Sequence, residues 1–176
     1  MRKITFGAAN SLDNFIARED GAVDWLMWSS EAAEVMKDHF EKIDTILMGR
    51  KTYEFAQAHS KGQKNPYPHI KSYVFSRTLS GAENAEIVSE NAVEFVRDLK
   101  QKDGKEICLM SGGCLAKTFF EAGLIDEIGF NIHPVILGRG IPLFLEMPRR
   151  IDLELIEART FKNGCVYVSY RVKNNL

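Results

Sequence analysis

Two spacings of apolar residues recur along this chain. Short runs rich in β-branched and apolar residues, at 3–9, 44–49, 72–76, 106–110 and 125–137, predict strands. Between them lie stretches with apolar positions three and four apart. In 29–43, Ala32, Val35, Met36, Phe40 and Ile43 share one helical face behind a Ser29 cap. A short helix is expected at 50–58. Another is expected at 91–104, where Asn91 and Glu94 suggest a capping box and Gly104 lies just past the end. Residues 106–124 read as strand, Gly112-Gly113 turn and helix, with Gly123 as the stop. Segments 152–161 and 165–172 flank Asn163-Gly164, the pair preferred in a type I′ hairpin turn. The stretches 10–25 and 60–69 read as loops, and one as long as the first is often functional.

Strands alternating with helices predict an α/β fold: a mostly parallel sheet flanked by helices. The terminal hairpin adds an antiparallel edge, on which Val166, Val168, Tyr170 and Val172 would share one face. No repeat or linker divides the chain, so residues 1–176 are expected to form one domain.

Charge narrows the function. There are 23 basic and 24 acidic residues, a net charge of -1, which argues against a general nucleic-acid binder. No run approaches the roughly 18 apolar residues of a membrane span, and the N-terminus has too short an apolar run for a signal peptide. Three cysteines without CxxC spacing fit a reduced, cytoplasmic protein better than a disulfide framework or a zinc site. Four scattered histidines suggest no metal set. His133, before Pro134 at a strand end, reads chiefly as structural.

Two strand-to-helix junctions carry the candidate chemistry. At 47–52 an apolar run stops at Gly49 and is followed by Arg50, Lys51 and Thr52; at 109–117 another stops at Ser111, Gly112 and Gly113. A helix start offers unpaired N–H groups and the positive end of a dipole, and glycine lets the ligand come close. A pyrophosphate between two such starts would use both, with Arg50 and Lys51 adding charge. A third strand ends at Ser76 and Arg77, suited to a phosphate monoester such as an adenosine 2′-phosphate.

These pieces, in this order, resemble the dihydrofolate reductase-like superfamily. Residues 46–54, Ile-Leu-Met-Gly-Arg-Lys-Thr-Tyr-Glu, look like the strand-turn-helix signature of dihydrofolate reductases. Residues 111–144 are similar to the reductase domain of the bifunctional riboflavin-biosynthesis deaminase-reductase, and 8–17 resemble the first strand and loop of both groups. The resemblance implies an eight-stranded, largely parallel sheet that binds NADPH. By position, Ala9 and Ile16 would border the nicotinamide. Gly49, Arg50, Lys51 and Thr52 would hold phosphates, and Ser76 and Arg77 the 2′-phosphate side. Ser111, Gly112, Gly113, Cys114 and Leu115 would cover the pyrophosphate.

The implied activity is an NADPH-dependent reductase acting on a pyrimidine- or pterin-like small molecule, similar to 5-amino-6-(5-phosphoribosylamino)uracil reductase. The alternatives are dihydrofolate reductase and a non-catalytic NADP(H)-binding module. Asp13, Glu31 and Trp25 fall in the region where the resemblance places substrate, the two carboxylates as candidate proton donors and Trp25 as a substrate contact. The zinc deaminase signature of the bifunctional enzyme is absent, so only the reductase half is expected. Riboflavin-type reductases are dimers, which implies a homodimer.

Overall fold

The computed structural model describes residues 1–60 and 67–173. The chain runs β1 (Ile4–Ser11), β2 (Phe15–Ala17), α1 (Ser30–Lys42), β3 (Ile43–Gly49), α2 (Arg50–His59), β4 (Lys71–Phe75) and β5 (Glu86–Val88). It continues through α3 (Ala92–Gln101), β6 (Glu106–Leu109), α4 (Gly113–Glu121), β7 (Glu127–His133), β8 (Ile141–Pro142), β9 (Asp152–Thr160) and β10 (Val166–Lys173). Most of the expected 60–69 loop lies outside the described residues.

Eight strands form one sheet in the order β5-β4-β3-β6-β1-β7-β10-β9. The pairs from β5 through to β7 are parallel, and β10 runs antiparallel to both neighbours. This is the expected dihydrofolate reductase-like architecture. The six parallel strands therefore end along one edge, where α/β sheets bind ligands.

Strand alternation sends side chains to two faces. On one face Phe6, Leu47, Tyr73 and Phe130 pack with Val96 and Leu99 of α3 and Phe119 and Phe120 of α4. On the other face, Tyr53 of α2 covers Met48 and Val74, while α1 packs through Ala32 and Phe40. The amino edge is stitched by buried cations. Arg2 pairs with Asp44 and donates to Thr45 Oγ1 at 2.8 Å, and Lys100 Nζ meets Asp126 Oδ2 at 2.5 Å. Those pairs leave the carboxyl edge as the open end.

Several local expectations need correction. Asn91 takes a left-handed conformation (φ 52°) and its side chain caps nothing, so the Asn91–Glu94 capping box does not form. The hairpin turn is not type I′, because only Gly164 (φ 87°), and not Asn163, has the positive φ that type I′ demands of both residues. Gly164 N–H instead donates to Phe161 O at 3.0 Å, and Phe161 N–H to Cys165 O at 2.9 Å, closing a three-residue loop. The strand expected over 125–137 stops at His133, where Pro134 can donate nothing to the ladder.

On β10, Val168, Tyr170 and Val172 share a face, as expected, and it packs on the chain's own core. The outer strand β9 presents Leu153, Leu155 and Ile156 to solvent instead. Among the described residues no helix is long and apolar enough to cross a membrane.

Candidate active site

Neighbouring strands β3 and β6 deliver the two junctions side by side. Leu47 pairs with Leu109, and Met110 N–H donates to Leu47 O at 2.9 Å. Gly49 and Gly112 then stand as the N-caps of α2 and α4, and among the described residues no side chain caps either start. Their first N–H groups are left for a ligand. The notch between them is narrow: a Cβ on Gly49 would stand 3.0 Å from Ser111 Oγ. Ile16 of β2 lies against Gly112, within 3.7 Å of where a Cβ would be.

The remaining predicted cofactor residues follow the same edge. Arg50 sits on the first turn of α2 and pairs with Glu54 at 2.8 Å, half exposed; Lys51 is exposed beside it and Thr52 is half-buried. Phase along the edge is set by the Gly49–Phe75 pairing, which places Ser76 and Arg77 next to α2. Ser76 Oγ accepts from Thr78 N–H (3.2 Å) and Leu79 N–H (3.0 Å), so its own proton remains to donate. Arg77 is exposed. In α4, Gly113 is buried against Leu143 and Leu145, Cys114 is exposed, and Leu115 packs towards the core.

Beside this edge, under α1, lies a cavity of about 290 Å³. Its floor is β1, β6 with the residue after it, and β7: Thr5, Gly7 and Ala9, then Cys108 and Met110, then Gly129 and Asn131. Gly7 and Gly129 are register partners, and their missing side chains make the space. The roof is α1, through Val35, Met36, His39 and Phe40, and Trp28 stands 72% exposed at the mouth. Ala9 thus joins this edge to the cavity.

The three predicted substrate residues are not brought together there. Asp13 accepts from Ser11 Oγ (2.7 Å), Leu137 N–H (3.1 Å) and Gly138 N–H (2.8 Å), tying the turn after β1 to the segment after β7. The Ser11 hydroxyl and those amides hold its carboxyl below the ordinary value. Glu31 accepts from Lys162 N–H at 3.2 Å, and its own backbone N–H first, then that of Lys162, lowers its carboxyl likewise. Both are carboxylates at neutral pH, the wrong form for donating a proton, and neither lines the cavity. Trp25 lies edge-on to His133 at 5.4 Å, and its buried Nε1 has no partner among the described residues.

His133 is 2% exposed, and burial pushes its pKa down, so the ring is neutral. Met27 N–H donates to its Nδ1 at 3.2 Å. Sequence reasoning passed over Gly7, Gly129, Asn131 and Tyr167. The available signal was a lone glycine inside each of two strands.

One pH effect follows from Asp13. Its folded pKa is depressed, so its stabilisation is present above the unfolded value of about 3.9 and is lost as pH falls through the folded value. Asp13→Asn is therefore expected to flatten the acid limb of the melting-temperature profile. An unchanged acid limb in thermal scans would show that this tether does not matter.

The family profile of the RibD C-terminal domain matches residues 2–167. The chain is 37% identical to the uncharacterized protein YyaP of Bacillus subtilis, over 96% of this chain and 94% of that one. The crystal structure of a putative riboflavin biosynthesis protein from Shewanella sp. PV-4 superposes with a TM-score of 0.85 at 26% identity, covering 99% of this chain and 100% of that one. Dihydrofolate reductase from Enterococcus faecalis, complexed with NADP(H), superposes with a TM-score of 0.67 at 16% identity, covering 98% and 97%. This last likeness is one of fold.

Proposed function

Because this chain belongs to the RibD C-terminal domain family, whose structural relatives include pyrimidine reductases, we propose that it is an NADPH-dependent reductase of a pyrimidine- or pterin-like ring. One observation carries the reading: two uncapped helix starts on adjacent strands open beside an apolar cavity. The donor set fits a dinucleotide. The N–H groups at Gly49–Lys51 and Gly112–Cys114 would take the pyrophosphate, and Ser76 and Arg77 the adenosine 2′-phosphate.

When bound, the nicotinamide supplies the hydride. The chain's residues hold its phosphates, shape the cavity beside Ala9 and keep water out with Val35, Met36 and Phe40. No Asp or Glu lines the cavity among the described residues, so the substrate's proton comes from a neutral side chain or a water. For the same reason folate reduction, with its carboxylate against the ring, is the weaker reading.

Fluorescence titration tests the proposal, with Trp25 and Trp28 as reporters. NADPH is expected to bind more tightly than NADH. Arg77→Ala should remove most of that preference, roughly 10-fold or more for a lost charge-assisted bond. Equal binding of the two cofactors by the parent protein would sink the 2′-phosphate assignment. Binding without turnover on any ring substrate would favour a non-catalytic module.

A homodimer belongs to the same proposal, formed where β9 leaves an unpaired edge with Leu153 and Leu155 exposed. Sedimentation should give twice 19.9 kDa. A single-chain mass would overturn it.

A further inference from the structure

The cavity's wall has a definite chemical character. Among its described lining residues there is no Lys, Arg, Asp or Glu. Its two histidines, His39 and His133, are held neutral by burial. Most of the rest is Ala, Val, Leu, Met, Phe and Trp. A phosphate dianion in such a wall would lose its water and gain no countercharge, which disfavours it.

The few polar groups include hydrogen-bond donors. Met27 N–H points at His133 Nδ1, and the Cys165 thiol lies 3.4 Å from the same atom. The neutral ring therefore carries its proton on Nε2, which lies 3.3 Å from the Asn131 side-chain amide. The structure sets the Asn131 amide nitrogen against that N–H and leaves its Oδ1 buried without a partner among the described residues; exchanging the two amide atoms pairs the oxygen with Nε2–H and presents the NH₂ in place of the orphaned oxygen. Tyr167 places its hydroxyl over Gly129, 3.0 Å from where a Cβ would be. Burial pushes the Tyr167 phenol up, so it keeps its proton.

We propose that the cavity takes an uncharged, planar, one- or two-ring heterocycle without a phosphate, whose ring carbonyl or ring nitrogen accepts from Asn131 and Tyr167. The inference rests on the reductase reading and decides its substrate class. The volume, about 290 Å³, is at the small end for ligand sites, roughly 300–1,000 Å³. Trp28, Met27 and Met36 make an exposed apolar mouth against which a flat ring can stack. A phosphoribosyl group would meet no charge partner among these residues.

Calorimetric titration with pterin, quinazoline-2,4-dione and uridine 5′-monophosphate at pH 7 tests this, with and without saturating NADP⁺. At least one of the two uncharged rings should bind ten times more tightly than the nucleotide. Tyr167→Phe and Asn131→Leu should each weaken that ring about tenfold while leaving the NADPH titration unchanged; Tyr167→Phe should also keep the melting temperature, whereas Asn131→Leu lowers it by unpairing the buried His133 N–H. Tighter binding of the phosphorylated nucleotide, binding of neither ring, or full affinity in both variants would each overturn the proposal. Failure of NADPH to bind, with the ring still held through Asn131 and Tyr167, would instead overturn the reductase reading and leave this inference standing.

Discussion

Gly49→Val is expected to weaken NADPH binding by about 100-fold, equivalent to about 2.7 kcal/mol, while the protein stays folded. The glycine has φ -79° and ψ 159°, which any residue adopts, so the backbone carries no strain. Space is what the substitution removes. The new Cβ would already stand 3.0 Å from Ser111 Oγ, and the two methyl groups beyond it would fill the notch between α2 and α4. Both sets of N–H groups would then be screened from one pyrophosphate. Valine is a poor residue at a helix start, and that costs about 1 kcal/mol of stability. Circular dichroism should show native helix content, and tryptophan fluorescence should show the lost affinity. Binding within threefold of the parent would mean that the phosphates do not sit in this notch.

Phe6→Ala is expected to destabilise the fold by about 3–5 kcal/mol. Phe6 is fully buried on β1 and meets three rings edge-on: Phe120 of α4 at 6.0 Å, Phe130 of β7 at 5.6 Å and Phe144 at 6.2 Å. Removing it leaves a void where the sheet, α4 and the segment after β8 converge, and β-sheet backbone cannot close in to fill it. A domain of this kind has about 5–15 kcal/mol to lose in total. Urea unfolding followed by circular dichroism measures the effect. A loss under 1 kcal/mol would show that the Phe120–Phe130–Phe144 group repacks without its central ring.

What the sequence made legible was local. The spacing of Ala32, Val35, Met36 and Phe40 gives α1, and Ser29 caps it by accepting from Ala32 N–H at 3.1 Å. The stops at Gly49 and Gly112 are visible because strand, turn and helix signals adjoin in the chain. Gly123 ends α4 with φ 66°, as its position suggested. Elements that exist only through their partners were hidden. Strand β5 is three residues long and exists through pairing with β4. Strand β2 pairs with β8, well over 100 residues away.

The cavity was hidden for the same reason. Gly7 and Gly129 are unremarkable singly, and only the β1–β7 register makes them one floor. Asn131 and Tyr167 then meet over it because β10 pairs antiparallel with β7. Asp13 and Glu31 hold loop amides in the structure, a role that an Asp in a Ser-x-Asp-Asn turn and a Glu in a first helical turn suggest as readily as a chemical one.

The β2–β8 ribbon has a mechanical consequence. Strands β2 and β8 pair, Leu143 N–H donates to Asn14 O at 2.8 Å, Leu12 N–H donates to Val135 O at 2.8 Å, and Asp13 grips Leu137 and Gly138. Gly140 lies directly against the Ala17 carbonyl. The turn after β1 and the segment after β7 are therefore one plate with two chain addresses. The plate reaches α4, where Gly113 seats on Leu143 and Pro142. Motion at this rim has few ways to be piecemeal: a ligand that pulls on Ile16 also pulls on 137–143. Amide exchange at 12–17 and at 135–143 should then slow together when a ligand binds, two stretches far apart in sequence answering on one clock.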